Sequence, residues 1–415
     1  MATGENERVK EPMLPQRSPN AVRCCKIIAE FIVILIVCGI LSLGLSVIIW
    51  TVYDNVVSPD VTNTTVEPLE TTSITTTTMP TTTTKPLACQ KRIIGFFNAF
   101  DAKEITAARV SKLTHAVFAK IPMDYNGELG IKTQETDEAF EKFKSTAKGV
   151  ETDVKVMISI CGKTSYREIA QKTEYTRIFV NSVASFLENH LIDGVDMNWE
   201  RENYHNNINL LKELRIRLNG SQLISVTLPS PPNSGATFQV DEILKYADFV
   251  NVVSMGYYDT DRTRTGPISP LYSGFDGWKK LDVNATMKYF NKEVKISEKL
   301  NIVIPFFTRI WSNAIDVVEP GREMFRDAQN EFSQVPFSKM KEDGWTEHKT
   351  SWDKKSKSSY IYDSETKTFL TFENEESISW KLQFIREENL GGLWIRFMDM
   401  DDDENTLLNS VTKLC

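Results

Sequence analysis

Short apolar runs alternate with longer amphipathic stretches from residue 92 almost to the end of the chain, a pattern typical of strands and helices that follow one another. The amphipathic stretches include 177–189 and 208–218, which predict helices. Eight apolar runs predict strands, at 92–97, 113–119, 154–160, 194–199, 222–228, 249–255, 301–306 and 392–397. Eight strand–helix units in succession predict an α/β fold of the (β/α)8 or TIM-barrel type.

The alternation breaks once, between residues 311 and 390, where the chain is far longer than a usual connection between a strand and a helix. A hairpin-like pair at 359–362 and 368–372 lies in this stretch, and an amphipathic helix near 377–388 follows it. We therefore expect a small α+β insertion at about 312–373, after the seventh strand and beside the mouth of the barrel.

The N-terminal segment has the pattern of a membrane anchor. Residues 1–26 are polar and rich in proline, which predicts a disordered cytoplasmic tail. No residue from Phe31 to Trp50 is charged, so 27–53 is predicted to be a transmembrane helix. Basic residues precede this run and none follows it until Lys85, which predicts a single-pass type II protein with an extracellular or luminal C-terminal domain. A cleaved signal peptide is the alternative, although its apolar core is usually shorter and nearer the N-terminus.

Residues 54–88 are predicted to form a stalk between the membrane and the barrel domain at 89–415. Ten of the residues from 71 to 84 are threonine, and such tracts are typical of O-glycosylated stalks because they cannot form a packed core. N-glycosylation sequons follow the same predicted topology, since all of them lie on the outer side; they are at Asn63, Asn219 and Asn284.

The cysteines divide between the two predicted compartments. Cys24 and Cys25 lie beside the predicted membrane helix on its cytoplasmic side. They are interpreted either as palmitoylation sites or as two free thiols in a reducing compartment. Cys89 precedes the first strand and Cys415 ends the chain, and we expect them to form a disulfide because the first and last strands of a closed barrel are neighbours. Cys161 is then a buried free thiol, and pairing of Cys89 with Cys161 is the alternative.

Charge and composition exclude several kinds of ligand. The chain has 48 basic and 56 acidic residues, and all of the acidic excess lies beyond residue 53, without a basic run. This excludes nucleic acid and anionic lipid as ligands of the outer part, whereas neutral sugars remain compatible. The histidines and cysteines do not have metal-ligand spacing, so we predict neither a metal nor a cofactor.

Candidate chemistry lies in the stretch 191–200, where an apolar run ends in a row of polar residues. Alternate side chains of a strand share a face, so Asp196, Asn198 and Glu200 face one way and the apolar residues between them face the other. Buried carboxylates need partners or a chemical role, which makes this face the candidate active site. A solvated strand end is the alternative.

This stretch resembles the signature of glycoside hydrolase family 18, the chitinase and chitinase-like family, which reads D-G-x-D-x-D-x-E. Asp193, Gly194, Asp196 and Glu200 match it, but Asn198 stands where the family has aspartate. Further fragments resemble the family's strands in the same order, at 94–97, 113–119, 156–162, 304–309, 390–392 and 399–402. The resemblance covers nearly all of residues 92–402 and implies a TIM barrel with the α+β insertion of the chitinase branch.

The resemblance implies substrate-assisted hydrolysis. The residue that matches Glu200 protonates the glycosidic oxygen, and the acetamide oxygen of the substrate attacks the anomeric carbon. The aspartate that matches Asn198 orients the acetamide and stabilises the developing positive charge, while the residue that matches Asp196 shares a proton behind it. An asparagine accepts hydrogen bonds without carrying a charge, and such a loss is worth ~3–4 kcal/mol, or roughly 100- to 1000-fold in rate.

Other positions of the sugar site also depart from the family. A gapless alignment with the sixth-strand motif M-T-Y-D places Met255 at the tyrosine and Gly256 at the aspartate. The pair Tyr258-Asp259 lies three residues further on and reaches the site only through a bulge, because an odd shift reverses the face of a strand. Arg396 occupies the place of the tryptophan that floors the site. The candidate substrate-binding residues are Met255, Tyr257, Arg309, Arg396 and Phe97.

Three functions are compatible with this sequence. The first is a membrane-anchored chitinase-like protein that recognises chitin or other N-acetylglucosamine-containing glycans and hydrolyses them weakly or not at all. The second is a slow chitinase with Glu200 as its acid. The third is a non-catalytic display or interaction module, in which Glu200 is a structural polar group and the protein partner is unknown.

Overall fold

The computed structural model describes residues 90–98, 104–162, 166–199, 207–230, 238–259, 263–274, 281–293, 296–315, 319–329 and 332–415. A closed barrel of parallel strands forms the centre of this part of the chain. Its strands are β1 (Arg92–Phe97), β2 (His115–Met123), β3 (Lys155–Gly162), β4 (Gly194–Asn198), β5 (Leu223–Pro229), β6 (Phe249–Val253), β7 (Leu300–Pro305) and β13 (Gly392–Arg396). They close in the order β1-β13-β7-β6-β5-β4-β3-β2, so the first and last strands are neighbours.

All eight predicted barrel strands are confirmed, and only their ends differ from the prediction. The prediction extended the sixth strand to residue 255, whereas β6 ends at Val253. That difference is small along the sequence, but it changes the direction of the side chains that follow β6 at the mouth of the barrel.

The described helices are α1 (Ala107–Val110), α2 (Gln134–Lys148), α3 (Tyr166–Gln171), α4 (Thr173–His190), α5 (Asn207–Leu218), α6 (Val240–Ile243), α7 (Val283–Glu293), α8 (Phe337–Glu342), α9 (Glu375–Glu387) and α10 (Thr406–Val411). Helix α2 shows why they form. The Thr133 side chain caps its N-terminus by accepting the Thr136 N–H, and Phe140 and Phe143 bury its apolar face. Both rings pack on Phe118 of β2 at centroid distances of 5.3 and 5.5 Å.

The predicted insertion is an antiparallel sheet in the order β10-β11-β12-β8-β9. Its strands are β8 (Phe307–Trp311), β9 (Ser333–Pro336), β10 (Ser351–Asp353), β11 (Ser358–Asp363) and β12 (Thr368–Phe372). The sheet starts at Phe307, earlier than the expected boundary near residue 312, because the chain leaves the barrel after Pro305 and pairs at once with β12 and β9.

The N-terminal ends of the strands form the closed end of the barrel. Three reciprocal pairs join neighbouring strands there, namely Thr114–Ile93, Asp193–Val156 and Asp248–Ile224. In each pair a side-chain oxygen accepts the partner's backbone N–H while the same residue's own N–H donates to the partner's carbonyl, at 2.8 or 2.9 Å. Side chains thus add hydrogen bonds where the backbone ladders begin.

The predicted tail, membrane helix and stalk, with Cys89 and Asn63, lie outside the described residues. Within the part of the chain that the structure covers, no helix is both long enough and apolar enough to cross a bilayer. The membrane anchor at 27–53 therefore stays a prediction.

Candidate functional site

The carboxylate of Asp196 lies at the centre of the candidate site, fully buried inside the barrel. Four neutral side chains donate hydrogen bonds to it: Ser159 at 2.9 Å, Ser225 at 2.6 Å, Thr227 at 3.0 Å to each oxygen, and Asn251 at 3.2 Å. The predicted alternation along β4 is therefore present, with the polar face turned into the barrel.

The pKa of Asp196 is raised above its ordinary value, because the effect of burial exceeds the opposing effect of the hydrogen bonds from Ser225, Ser159, Thr227 and Asn251. Sequence reasoning did not identify these four donors. A signal was nevertheless present, because each of them is a polar residue inside an otherwise apolar strand run. Inward-facing polar residues on neighbouring strands meet around the same carboxylate.

The residues that follow Asp196 on the same face lead towards the mouth. Asn198 is the last residue of β4; it is partly exposed and lies in register with Thr227 of β5. Trp199 is fully buried on the opposite face, 6.3 Å from the Tyr166 ring of α3. Glu200, the candidate acid, lies outside the described residues.

Asp193, the first aspartate of the signature, lies away from this site. It precedes β4 at the closed end of the barrel, where its carboxylate accepts the Val156 N–H at 2.8 Å. Asp193 is therefore in a structural position at the end of the strand opposite to the mouth, and the structure does not bring it together with Asn198.

The loop after β6 contains a feature that the gapless alignment missed. Gly256 has φ +71°, and a Cβ atom there would lie 2.7 Å from Asp259 Oδ2. The Asp259 carboxylate thus occupies the space into which a side chain at position 256 would point. It binds the Arg309 guanidinium of β8 at two points, Oδ2 accepting from Nη2 at 2.9 Å and Oδ1 contacting Nη1.

Arg309 is buried and Asp259 is exposed, with 4% and 44% of their side chains accessible. The guanidinium also lies over the Phe332 ring, 4.4 Å from its centroid. Burial lowers the pKa of Arg309, Asp259 raises it, and the nearby charge of Arg396 lowers it further. The result is a polar wall, which we call the Asp259–Arg309 wall, whose carboxylate is accessible to solvent.

Other candidate substrate-binding residues are placed differently. The Phe97 ring packs edge-on against Phe143 of α2 at 5.5 Å, because the last residue of β1 points to the helix layer. The Tyr257 hydroxyl bonds to the Thr286 hydroxyl of α7 at 2.7 Å, so this side chain also faces outwards. The contacts shown by these two residues are therefore with the helix layer, and their role in sugar binding stays a prediction. Met255 is buried after the end of β6.

Arg396 ends β13, two residues after Trp394 and on the same face of the strand. Trp394 is buried inside the barrel, 5.0 Å from the Phe96 ring, and its indole N–H donates to the Val252 carbonyl at 3.0 Å. Arg396 is partly exposed one layer nearer the mouth, where the alignment placed it.

Cys161 is a free thiol and Cys415 is disulfide-bonded. The Cys161 thiol is partly exposed, not buried as predicted, and its being free contradicts the alternative pairing with Cys89. The bond between Cys89 and Cys415 stays a prediction because Cys89 lies outside the described residues. Asn219 is exposed at the end of α5 and Asn284 is partly exposed on α7, so both sequon side chains reach the surface. Among the described residues no cluster of three His, Cys, Asp or Glu is arranged to hold a metal ion.

Comparison with known proteins agrees with this architecture. The chain is 23% identical over 312 residues to a probable endochitinase of Caenorhabditis elegans, an alignment that covers 68% of this chain and 48% of that relative. It is 23% identical over 329 residues to Chitotriosidase-1 of Mus musculus, covering 71% of this chain and 68% of the mouse protein. The chain thus spans about half the length of the first of these relatives.

The fold is similar to that of the Group IV chitinase of Ostrinia furnacalis, with a TM-score of 0.69 at 19% identity over 78% of this chain and 99% of the insect chain. It is equally similar to that of YKL-39, solved in the presence of chitooligosaccharides, with a TM-score of 0.68 at 20% identity over 78% and 99% of the two chains. The profile of glycosyl hydrolases family 18 matches residues 92–401, which include every strand of the barrel. The chain therefore belongs to glycosyl hydrolases family 18.

Proposed function

We propose that this protein is a chitinase-like receptor for N-acetylglucosamine-containing glycans such as chitin, with hydrolysis weak or lost. The observation that carries the proposal is the surroundings of Asp196. Four neutral donors hold its carboxylate, and the next side chain on its face, Asn198, is an amide. A second carboxylate at position 198 would carry the charge that stabilises the oxazolinium intermediate of this family.

Glycan recognition draws on a different part of the mouth. The exposed carboxylate of the Asp259–Arg309 wall accepts hydrogen bonds, and acetamide N–H and sugar hydroxyl groups donate them. The wall is fixed by a buried guanidinium, so little ordering is required when a sugar binds. Relatives support the choice of ligand: YKL-39 was crystallised with chitooligosaccharides, and a Cycas revoluta chitinase with (GlcNAc)3.

The test measures binding and turnover separately on the purified full chain. We expect chitotetraose to bind in calorimetry, while a fluorogenic chito-oligosaccharide is turned over at or near the background rate. Asn198→Asp should raise turnover by up to ~100- to 1000-fold. The control Asp241→Asn, on the exposed surface of α6, exchanges the same two groups away from the mouth and should change neither quantity.

Two outcomes would replace the proposal by its alternatives. Wild-type turnover that Glu200→Gln abolishes would identify a slow chitinase that uses Glu200 as its acid. Failure of wild type to bind chitotetraose, with no turnover by Asn198→Asp, would identify a display or interaction module whose cleft is vestigial. The cation at Arg396, in place of an aromatic floor, is the feature that favours the latter.

We also propose that residues 27–53 anchor the protein in a membrane with the barrel outside or in the lumen. The proposal rests on the uncharged run from Phe31 to Trp50 and on the basic residues before it. Alkaline carbonate should leave the full chain in the membrane pellet, and protease added to intact cells should release the barrel domain. Recovery of the chain in the soluble fraction would favour the cleaved signal peptide.

A further inference from the structure

A continuous line of hydrogen bonds runs from Asp196 to the closed end of the barrel, and it is buried except at Arg92, which is partly exposed. Asn251 Nδ2 donates to Asp196 Oδ1 at 3.2 Å, and Asn251 Oδ1 accepts from Asn301 Nδ2 at 3.0 Å. Asn301 Oδ1 in turn accepts from Arg92 Nε at 3.0 Å. Asp196, Asn251 and Asn301 are each fully buried. We call these four residues the barrel relay.

The two ends of the barrel relay fix its direction. An ionised carboxylate only accepts hydrogen bonds and a guanidinium only donates them. The amide of Asn251 must therefore turn its NH2 group to Asp196 and its oxygen to Asn301, which must do the same towards Arg92. Both amide dipoles then point with their positive ends at the carboxylate, and each bond polarises the next.

The chain around Arg92 accommodates this guanidinium closely. It lies over the Phe249 ring, 4.9 Å from the centroid, and donates to the Glu298 carbonyl. A Cβ atom at Gly391 would overlap its Nη2 atom and also the backbone oxygen of Glu298, so a glycine is required there. Burial lowers the pKa of Arg92 to about 10 and Asp248 opposes that shift, so Arg92 is charged at neutral pH.

We propose that Arg92 is a positioning residue for Asp196: through Asn301 and Asn251 it favours the ionised, inward-directed carboxylate against the cost of burial. The family's proton sharing requires an acid at position 198, and Asn198 does not provide one. The barrel relay and the three hydroxyl donors stabilise the isolated anion instead. This proposal concerns the charge on Asp196 and does not depend on glycan binding.

The test is a double-mutant cycle on the full chain, with Arg92→Met, Asp196→Asn and the two together, unfolded in urea from pH 4 to pH 8. At pH 7 we expect Arg92→Met to lower the folding equilibrium constant roughly tenfold more in the wild-type background than in the Asp196→Asn background. The difference should shrink as the pH falls and Asp196 takes up a proton. Arg92 also faces Asp248 and His115, whose effects are common to both backgrounds and cancel.

A carboxyl-carbon NMR titration of Asp196 gives a second readout that packing alone does not move. Arg92→Met should raise the pKa of Asp196, and Arg92→Lys, which keeps the charge, should raise it less. The control is Arg109→Met, because Arg109 is also an arginine with little exposure, even more buried than Arg92, but donates to Asn405 and to the Asp402 carbonyl. The proposal would be overturned if Arg92→Met lowered the folding equilibrium constant equally in the wild-type and Asp196→Asn backgrounds. It would also be overturned if Arg92→Met left the NMR titration of Asp196 unchanged.

Discussion

The carboxylate of Asp259 binds the buried guanidinium of Arg309. This carboxylate occupies the space that a side chain at Gly256 would fill. The family motif has an aspartate at position 256, so the chain supplies a carboxylate to the same wall from a residue three positions later. This relationship connects the loop after β6 to the insertion sheet. Substitutions at Asp259 and Gly256 can therefore test whether the mouth of the barrel binds sugar.

Removing the carboxylate of Asp259 should weaken both the fold and the binding of sugar. Asp259→Asn leaves Arg309 buried without its counter-ion, and because Asp259 is exposed to solvent we expect a loss of only about 1–2 kcal/mol in unfolding free energy. Chitotetraose affinity measured by calorimetry should fall by about tenfold. Asp327→Asn, which breaks the more exposed pair with Arg264, is the control and should change affinity by less than about twofold. Unchanged affinity in Asp259→Asn would mean that the Asp259–Arg309 wall is not part of the binding site.

Gly256→Ala should displace Asp259, because the added methyl group would lie 2.7 Å from its carboxylate. The positive φ adds backbone strain of about 1 kcal/mol. Gly220→Ala separates the two effects, since Gly220 has φ +74° with no atom within 4 Å of the added carbon. We expect both variants to lower the melting temperature and only Gly256→Ala to weaken chitotetraose binding. Equal behaviour of the two would mean that strain alone acts at position 256.

His115 should limit stability in acid. Burial and the charges of Arg92 and Lys155 lower its pKa to about 3, whereas the unfolded chain has the ordinary value near 6.5. Between those values only the unfolded state binds the proton, so unfolding free energy falls as the pH falls from 6.5 to 3, by up to ~1.4 kcal/mol per pH unit. His115→Gln should flatten that slope in urea unfolding, and the exposed control His348→Gln should leave it unchanged. If the slope of unfolding free energy against pH is unchanged in His115→Gln, other groups cause it.

The ion pair between Lys381 of α9 and Glu373 is buried on both sides, with 0% and 5% of the side chains exposed. Lys381→Met should lower unfolding free energy by about 3–5 kcal/mol, because Glu373 then keeps only the hydrogen bond from the Ser377 hydroxyl. The double variant Lys381→Met/Glu373→Gln should recover part of the loss in urea unfolding. Lys413→Met breaks an exposed pair and should change stability by less than about 1 kcal/mol.

The fold follows from the sequence because the periodicity of buried strands is a local property. The same holds for Asp196, whose inward direction is determined by alternation along β4. The Asp259–Arg309 wall was not predicted, since it depends on β6 ending at Val253 and on the positive φ of Gly256. The direction of Phe97 and Tyr257 could not be predicted either, because it is determined by their contacts with Phe143 of α2 and Thr286 of α7.

The reciprocal bonds of Asp193, Asp248 and Thr114 lie at the closed end of the barrel, at the opposite ends of the strands from Asn198, Asp259 and Arg396. The residues that join neighbouring strands at the closed end are thus different from the residues at the mouth, where we propose that a glycan binds. Substitutions at the mouth can accumulate over evolutionary time without weakening those joints. Descendants of such a protein can therefore lose hydrolytic activity while they retain a stable barrel on which another function can evolve.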